Sequence, residues 1–101
     1  DLGAFTSALE FASGKQAIIV GKPAADFFLQ AVNKLGCEPQ QVMMIGDDVE
    51  SDVNGAIDAG LQACLVRTGK YQPGDEHRMH EGAIVMDDVN AAINEVLAQS
   101  V

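Results

Sequence analysis

The apolar positions of this chain fall into short unbroken runs separated by stretches of helical spacing. Ala17-Ile18-Ile19-Val20, Val42-Met43-Met44-Ile45, residues 62–66 and Ala83-Ile84-Val85-Met86 are such runs. An unbroken apolar run bounded by turn residues predicts a strand buried on both faces. After the first run, Phe27, Phe28, Ala31, Val32 and Leu35 form a helical stripe, with Pro23 suited to its first turn and Gly36 to its left-handed end. After the second, Val53, Ala56 and Ile57 supply an inward helical face that Gly60 closes. A last helix carries Val89, Ala92, Ile93, Val96 and Leu97 and takes Asp87 or Asp88 as its cap. At the start, Phe5, Ala8, Leu9 and Ala12 predict a short helix over residues 6–12, closed by Gly14. Residues 67–79, with Gly69, Pro73 and Gly74, predict a polar loop. Strands alternating with helices from Ala17 onward predict an α/β fold with a parallel sheet.

Composition narrows the partners. With 101 residues the chain makes one domain at most, and 48% hydrophobic residues permit a packed core. Fifteen acidic against six basic residues give a formal charge of −9. A surface that negative repels phosphate backbones, so no nucleic-acid partner is expected. No apolar run has the length of a membrane span, so no membrane partner is expected either. Cys37 and Cys64 stand apart, without a metal or redox spacing, which predicts reduced thiols and a cytoplasmic protein.

The candidate chemistry lies at the end of the second run. Gly46 allows a sharp turn, Asp47 and Asp48 follow at once, and Asp52 comes one helical turn after Asp48. Asp47 is expected at the carboxyl end of a strand, where open α/β sheets bind ligands. Three carboxylates there repel one another unless a cation intervenes, and carboxylate oxygens suit Mg²⁺. Asp47, Asp48 and Asp52 are therefore the expected metal residues. A calcium loop read from Glu50 places Asp52, Asn54 and Gly55 correctly but puts Leu61 where a bidentate glutamate belongs. Helix capping alone needs one acid, not three.

Lys22 follows Gly21 at the end of the first run, hence at the same expected sheet edge, where it could neutralise a phosphate. Arg67-Thr68-Gly69-Lys70 is not a phosphate-binding loop of Walker type, because Cys64 replaces its first glycine and Tyr71 its hydroxyl residue. Glu76, His77, His80 and Glu81 sit in polar sequence without a metal-ligand spacing.

The combination of VGKPAADFF with VMMIGDDVESDVNGAIDAG resembles the third and fourth motifs of the haloacid dehalogenase (HAD) superfamily, in its large-capped phosphatase group. The resemblance runs from about Leu2 to the end. It implies a Rossmann-like HAD core present as its carboxyl-terminal half, with residues 1–20 the end of a cap and its return linker and residues 21–101 the core. It further implies that Asp47 ligates Mg²⁺, that Asp48 and Asp52 orient its surroundings, and that Lys22 is catalytic and holds the substrate phosphate. The family reaction attacks phosphorus with an aspartate and hydrolyses the resulting aspartyl phosphate. This chain has no Asp-x-Asp followed by Gly-Thr, the family's nucleophile motif, and no second motif. It is therefore expected to be inactive alone, as part of a phosphatase for a small phosphomonoester, phosphoramidate or pyrophosphate. The family fold sets the nucleophile strand beside residues 42–45, so an unpaired edge, self-association or pairing with an amino-terminal half is expected. A non-catalytic metal-binding module and a receiver-like phosphoacceptor are the rival readings. Receiver order, with the acid pair ahead of the lysine, is the reverse of the order here.

Overall fold

A computed structural model describes residues 6–11, 16–21, 30, 32–33 and 36–99. Among the described residues, five strands make one sheet in chain order: β1 (Thr6–Phe11), β2 (Gln16–Gly21), β3 (Val42–Gly46), β4 (Gln62–Val66) and β5 (Ile84–Met86). β2 to β5 are parallel, with Val20 beside Ile45, Ile45 beside Cys64 and Leu65 beside Val85. The fold is the α/β, Rossmann-like arrangement expected from the alternation of patterns.

The apolar runs bury both faces of the sheet. Ile19, Val42, Met44, Ala63 and Leu65 pack on one side with Val49, Val53 and Ala56. Ile18, Met43, Ile45, Cys64 and Val66 pack on the other against Ala92 and Val96. The latter pair belong to α2 (Val89–Gln99), where Asp88 Oδ1 accepts the Ala91 N–H at 2.8 Å. Most of the helix expected over residues 23–35 lies outside the described residues, but its predicted end is seen, with Gly36 at φ +69° and its N–H reaching the Val32 carbonyl.

Two expectations fail. Residues 6–11 form a strand, not a helix, running antiparallel to β2 with Thr6 opposite Gly21 and Phe11 opposite Gln16. The stretch is too short for local helical preference to decide, and Ser7, Leu9 and Phe11 also fit a period of two. Pairing along β2 settles the choice. The second failure concerns β3, which has no unpaired side. β2 hydrogen-bonds one edge and β4 the other. The apolar run at residues 17–20 needs burial on both faces, and the place beside β3 provides it.

After β3 the chain enters a π-helical segment, Val49–Asn54, which continues as α1 (Gly55–Asp58). The Asp48 carbonyl accepts both the Asp52 N–H at 2.9 Å and the Val53 N–H at 3.2 Å, so the first turn is one residue wider than an α-helix.

Candidate active site at the carboxyl edge of the sheet

Gly46 ends β3 and Asp47 follows, half-buried in the crevice outside the strand ends. Parallel pairing brings the ends of β2, β3 and β4 to the same edge. Asp47 borders two depressions there. One, of about 150 Å³, is mainly apolar and is bounded by Val20, Ile45, Val66, Thr68 and Val89. The other, of about 320 Å³, is bounded mostly by polar and charged residues, Asp48, Lys70, Gln72, Asp75 and Arg78, together with Val49.

The three aspartates do separate jobs. Asp47 Oδ2 accepts the Lys70 N–H at 2.9 Å, which fixes the carboxylate against the loop after β4. Asp48 caps the π-helical turn, its Oδ1 accepting the N–H groups of Glu50 at 3.1 Å and Ser51 at 3.0 Å. Those backbone donors, Ser51 foremost, hold the Asp48 carboxyl below its usual range. Asp52 is fully buried, and its Oδ2 accepts the Asp48 N–H at 3.2 Å. That is a reciprocal capping pair, with Asp52 one position beyond the usual partner, which the wider turn accommodates. Gly46 makes room for it, since a Cβ there would lie 2.5 Å from Asp52 Cβ and 2.6 Å from its Cγ.

The sequence reading gathered these carboxylates into one cluster. Among the described residues, no group of three acid, imidazole or thiol side chains converges in a metal-binding arrangement. The donors still suit Mg²⁺ in kind. That ion keeps several waters and takes only one or two protein carboxylates. Asp47 offers one at the mouth of the polar cleft, and among the described residues its Oδ1 accepts no hydrogen bond. Lys22 lies outside the described residues. Gly21 before it ends β2 at the same edge as Gly46.

Sequence reasoning missed the wall opposite Asp47. Gly69 has φ +58°, and a Cβ on it would run into the Asp47 carboxylate. The run Arg67 to Lys70 is thus a turn fitted to Asp47, and the available signal was its place directly after the strand beside β3. Beyond it, the turn Asp75–Arg78 is tied back to the π-helical segment. Arg78 pairs with Asp75 at 2.8 Å and with Glu50 at 3.0 Å. Asn54, buried, donates to the Arg78 carbonyl at 2.9 Å and accepts the His80 N–H at 2.7 Å. Tyr71 donates to Glu76 at 2.6 Å, while His80 Nδ1 lies 3.0 Å from Asp58 Oδ1.

Acid should loosen this wall. The Arg78 guanidinium and the Gln72 N–H hold the Asp75 carboxyl below its ordinary 3.8, and the Tyr71 hydroxyl does the same for Glu76. Folded pKa values below the unfolded ones mean the stabilisation is complete above the ordinary carboxylate range. It is lost as pH falls through the depressed values. The melting temperature should therefore drop more steeply below about pH 4 in the native chain than in Asp75→Asn. Parallel curves for the two proteins would remove Asp75 from the account.

A mostly parallel sheet with acids at the carboxyl end of a central strand places the chain in the open-sheet α/β class. The chain belongs to the HAD-hydrolase-like family, whose model matches residues 19–92. It is 51% identical over 76 residues to the phospholysine phosphohistidine inorganic pyrophosphate phosphatase of Xenopus laevis, a match covering 75% of this chain and 28% of that protein. The Danio rerio protein of the same name is 42% identical over 98 residues, covering 96% of this chain and 36% of the relative. The human haloacid dehalogenase-like hydrolase domain-containing protein 2 is 49% identical over 78 residues, 77% of this chain and 30% of the relative. The chain thus spans about a third of the length of these relatives.

Proposed function

We propose that this chain is the metal-binding part of a Mg²⁺-dependent phosphatase acting on a small phosphomonoester, phosphoramidate or pyrophosphate through an aspartyl phosphate. The observation that carries the reading is Asp47, held at the end of β3 by the Lys70 N–H and opening on a polar cleft. Asp47 is the direct ligand. Asp48 and Asp52 position it through the turn they cap, and Lys22 binds the transferring phosphate. When bound, Mg²⁺ offsets negative charge on the phosphoryl oxygens. The nucleophilic aspartate is not in these residues, so catalysis requires an amino-terminal half. That need rests on the missing motif, since β3 has no open edge. Division of the chain into the end of a cap and its return linker at residues 1–20 and a core at 21–101 is part of the same proposal, with β1 and most of β2 in the first segment joining the sheet of the core. A cytoplasmic setting is supported by Cys37 and Cys64, which are buried thiols and form no disulfide, and no described helix is long and apolar enough to cross a membrane.

Calorimetric titration with Mg²⁺ should show binding that Asp47→Asn weakens at least tenfold, since the amide keeps the shape but loses the charge. Joined to its amino-terminal half, the protein should hydrolyse pyrophosphate or an aryl phosphate, and the same substitution should cost at least a hundredfold in kcat/KM. The 101-residue chain alone should show no turnover above a Lys22→Ala control. Equal Mg²⁺ heats for both proteins would remove Asp47 as the ligand. Turnover by the chain alone that vanishes in the lysine variant would place the nucleophile within it.

A further inference from the structure

We infer that the Lys70 ammonium binds a second anionic group of the substrate, beyond the phosphoryl group that reacts. The inference rests on the phosphatase reading and concerns how that site selects among phosphates. Four observations on separate residues support it. Lys70 is tethered at its own backbone, because its N–H donates to Asp47 Oδ2 at 2.9 Å, so its side chain starts beside the proposed metal ligand. The tether is held by a tight turn, with Gly69 at φ +58° packed on the Asp47 carboxylate and the Tyr71 N–H returning to the Thr68 carbonyl at 3.1 Å. Lys70 and Asp47 border one cleft of about 320 Å³, with space for a group larger than a single phosphate oxygen.

The fourth observation concerns charge. The other described cations near this edge are committed: Arg78 to Asp75 and Glu50, and Arg67 to Asp87 at 2.7 Å. Among the described residues, Lys70 makes no ion pair, although its charge also helps to hold Asp48 ionised. An ammonium on a flexible stem is a point charge that follows an oxygen anion without a fixed geometry. Asp47 would hold Mg²⁺, and the charge that ion supplies would favour a phosphoryl group at the mouth of the cleft that Lys70 also borders. A further anionic group on the cleft side then faces Lys70. Substrates with two adjacent anionic groups, such as pyrophosphate, should be held better than a lone phosphate.

The test uses the 101-residue chain in saturating Mg²⁺, with inorganic orthophosphate and inorganic pyrophosphate as separate probes. Wild type should bind pyrophosphate at least tenfold more tightly than orthophosphate. Lys70→Ala keeps the backbone N–H and changes an exposed side chain, so the fold and the Asp47 tether survive. It should lose most of the pyrophosphate preference while orthophosphate affinity stays within twofold, and Lys70→Arg should restore the preference. Undiminished preference in Lys70→Ala, with orthophosphate still bound, overturns the Lys70 assignment and leaves the phosphatase reading standing. Failure of wild type to bind orthophosphate overturns the phosphatase reading and this inference with it.

Discussion

Gly46→Ala should unfold this protein more readily than any other single methyl addition at the strand edge. The added Cβ would fall 2.5 Å from Asp52 Cβ and 2.6 Å from Cγ, and Asp52 is fully buried, with no exposed side to retreat toward. The constraint is space, because Gly46 is not among the glycines with left-handed backbone. Relief requires moving the π-helical turn away from β3, which breaks the Asp48 N–H contact to Asp52 and disturbs Val49 and Val53 in the core. Overpacking on that scale costs about 3 kcal/mol. For a domain of this size the melting temperature should fall by on the order of 15 °C. A fall of under about 3 °C would show that the turn shifts freely and that Asp52 is not clamped.

Gly69→Ala should damage the proposed metal site more than the fold. At φ +58° any side chain carries a left-handed backbone cost of about 1–2 kcal/mol. The larger effect is local, since the new methyl occupies the position of the Asp47 carboxylate and must displace it or the loop. Mg²⁺ affinity should weaken at least tenfold. Gly82→Ala supplies the control: it shares a left-handed φ of +101° but meets nothing within 4 Å. It should lose similar stability and keep Mg²⁺ affinity within twofold. Equal losses of affinity in the two variants would mean that Gly69 acts through general destabilisation, not through Asp47.

The pattern of apolar runs was enough to place β2, β3, β4 and β5, because an unbroken apolar run marks a strand packed on both faces, as β3 and β4 are, although β5 at the sheet edge is only half-buried. Gly36 was equally readable, since a left-handed helix end demands a particular residue type, whereas the cap was narrowed only to Asp87 or Asp88 and the structure selects Asp88. Residues 6–11 were not, because six residues satisfy a helical and an alternating pattern at once and only a neighbouring strand chooses.

For the candidate site the division is similar. Sequence alone located Asp47, Asp48 and Asp52 at a strand end, since the acids directly follow an apolar run and a glycine. Proximity in sequence could not separate their work. The wide first turn buries Asp52 as a brace, leaves Asp48 as a cap and keeps Asp47 at the cleft. Gly69 and Lys70 are 22 and 23 residues from Asp47, and their own neighbourhood marks only a polar turn after a strand, not a partner for Asp47. Parallel pairing of β3 with β4 delivers the carboxyl ends of both strands to one edge, and that long-range contact makes a polar loop the wall of the site. Local composition therefore determined which elements form and where the acids sit. Tertiary pairing decided which distant residues meet them, because hydrogen bonds between strands depend on register, and register is a property of the sheet.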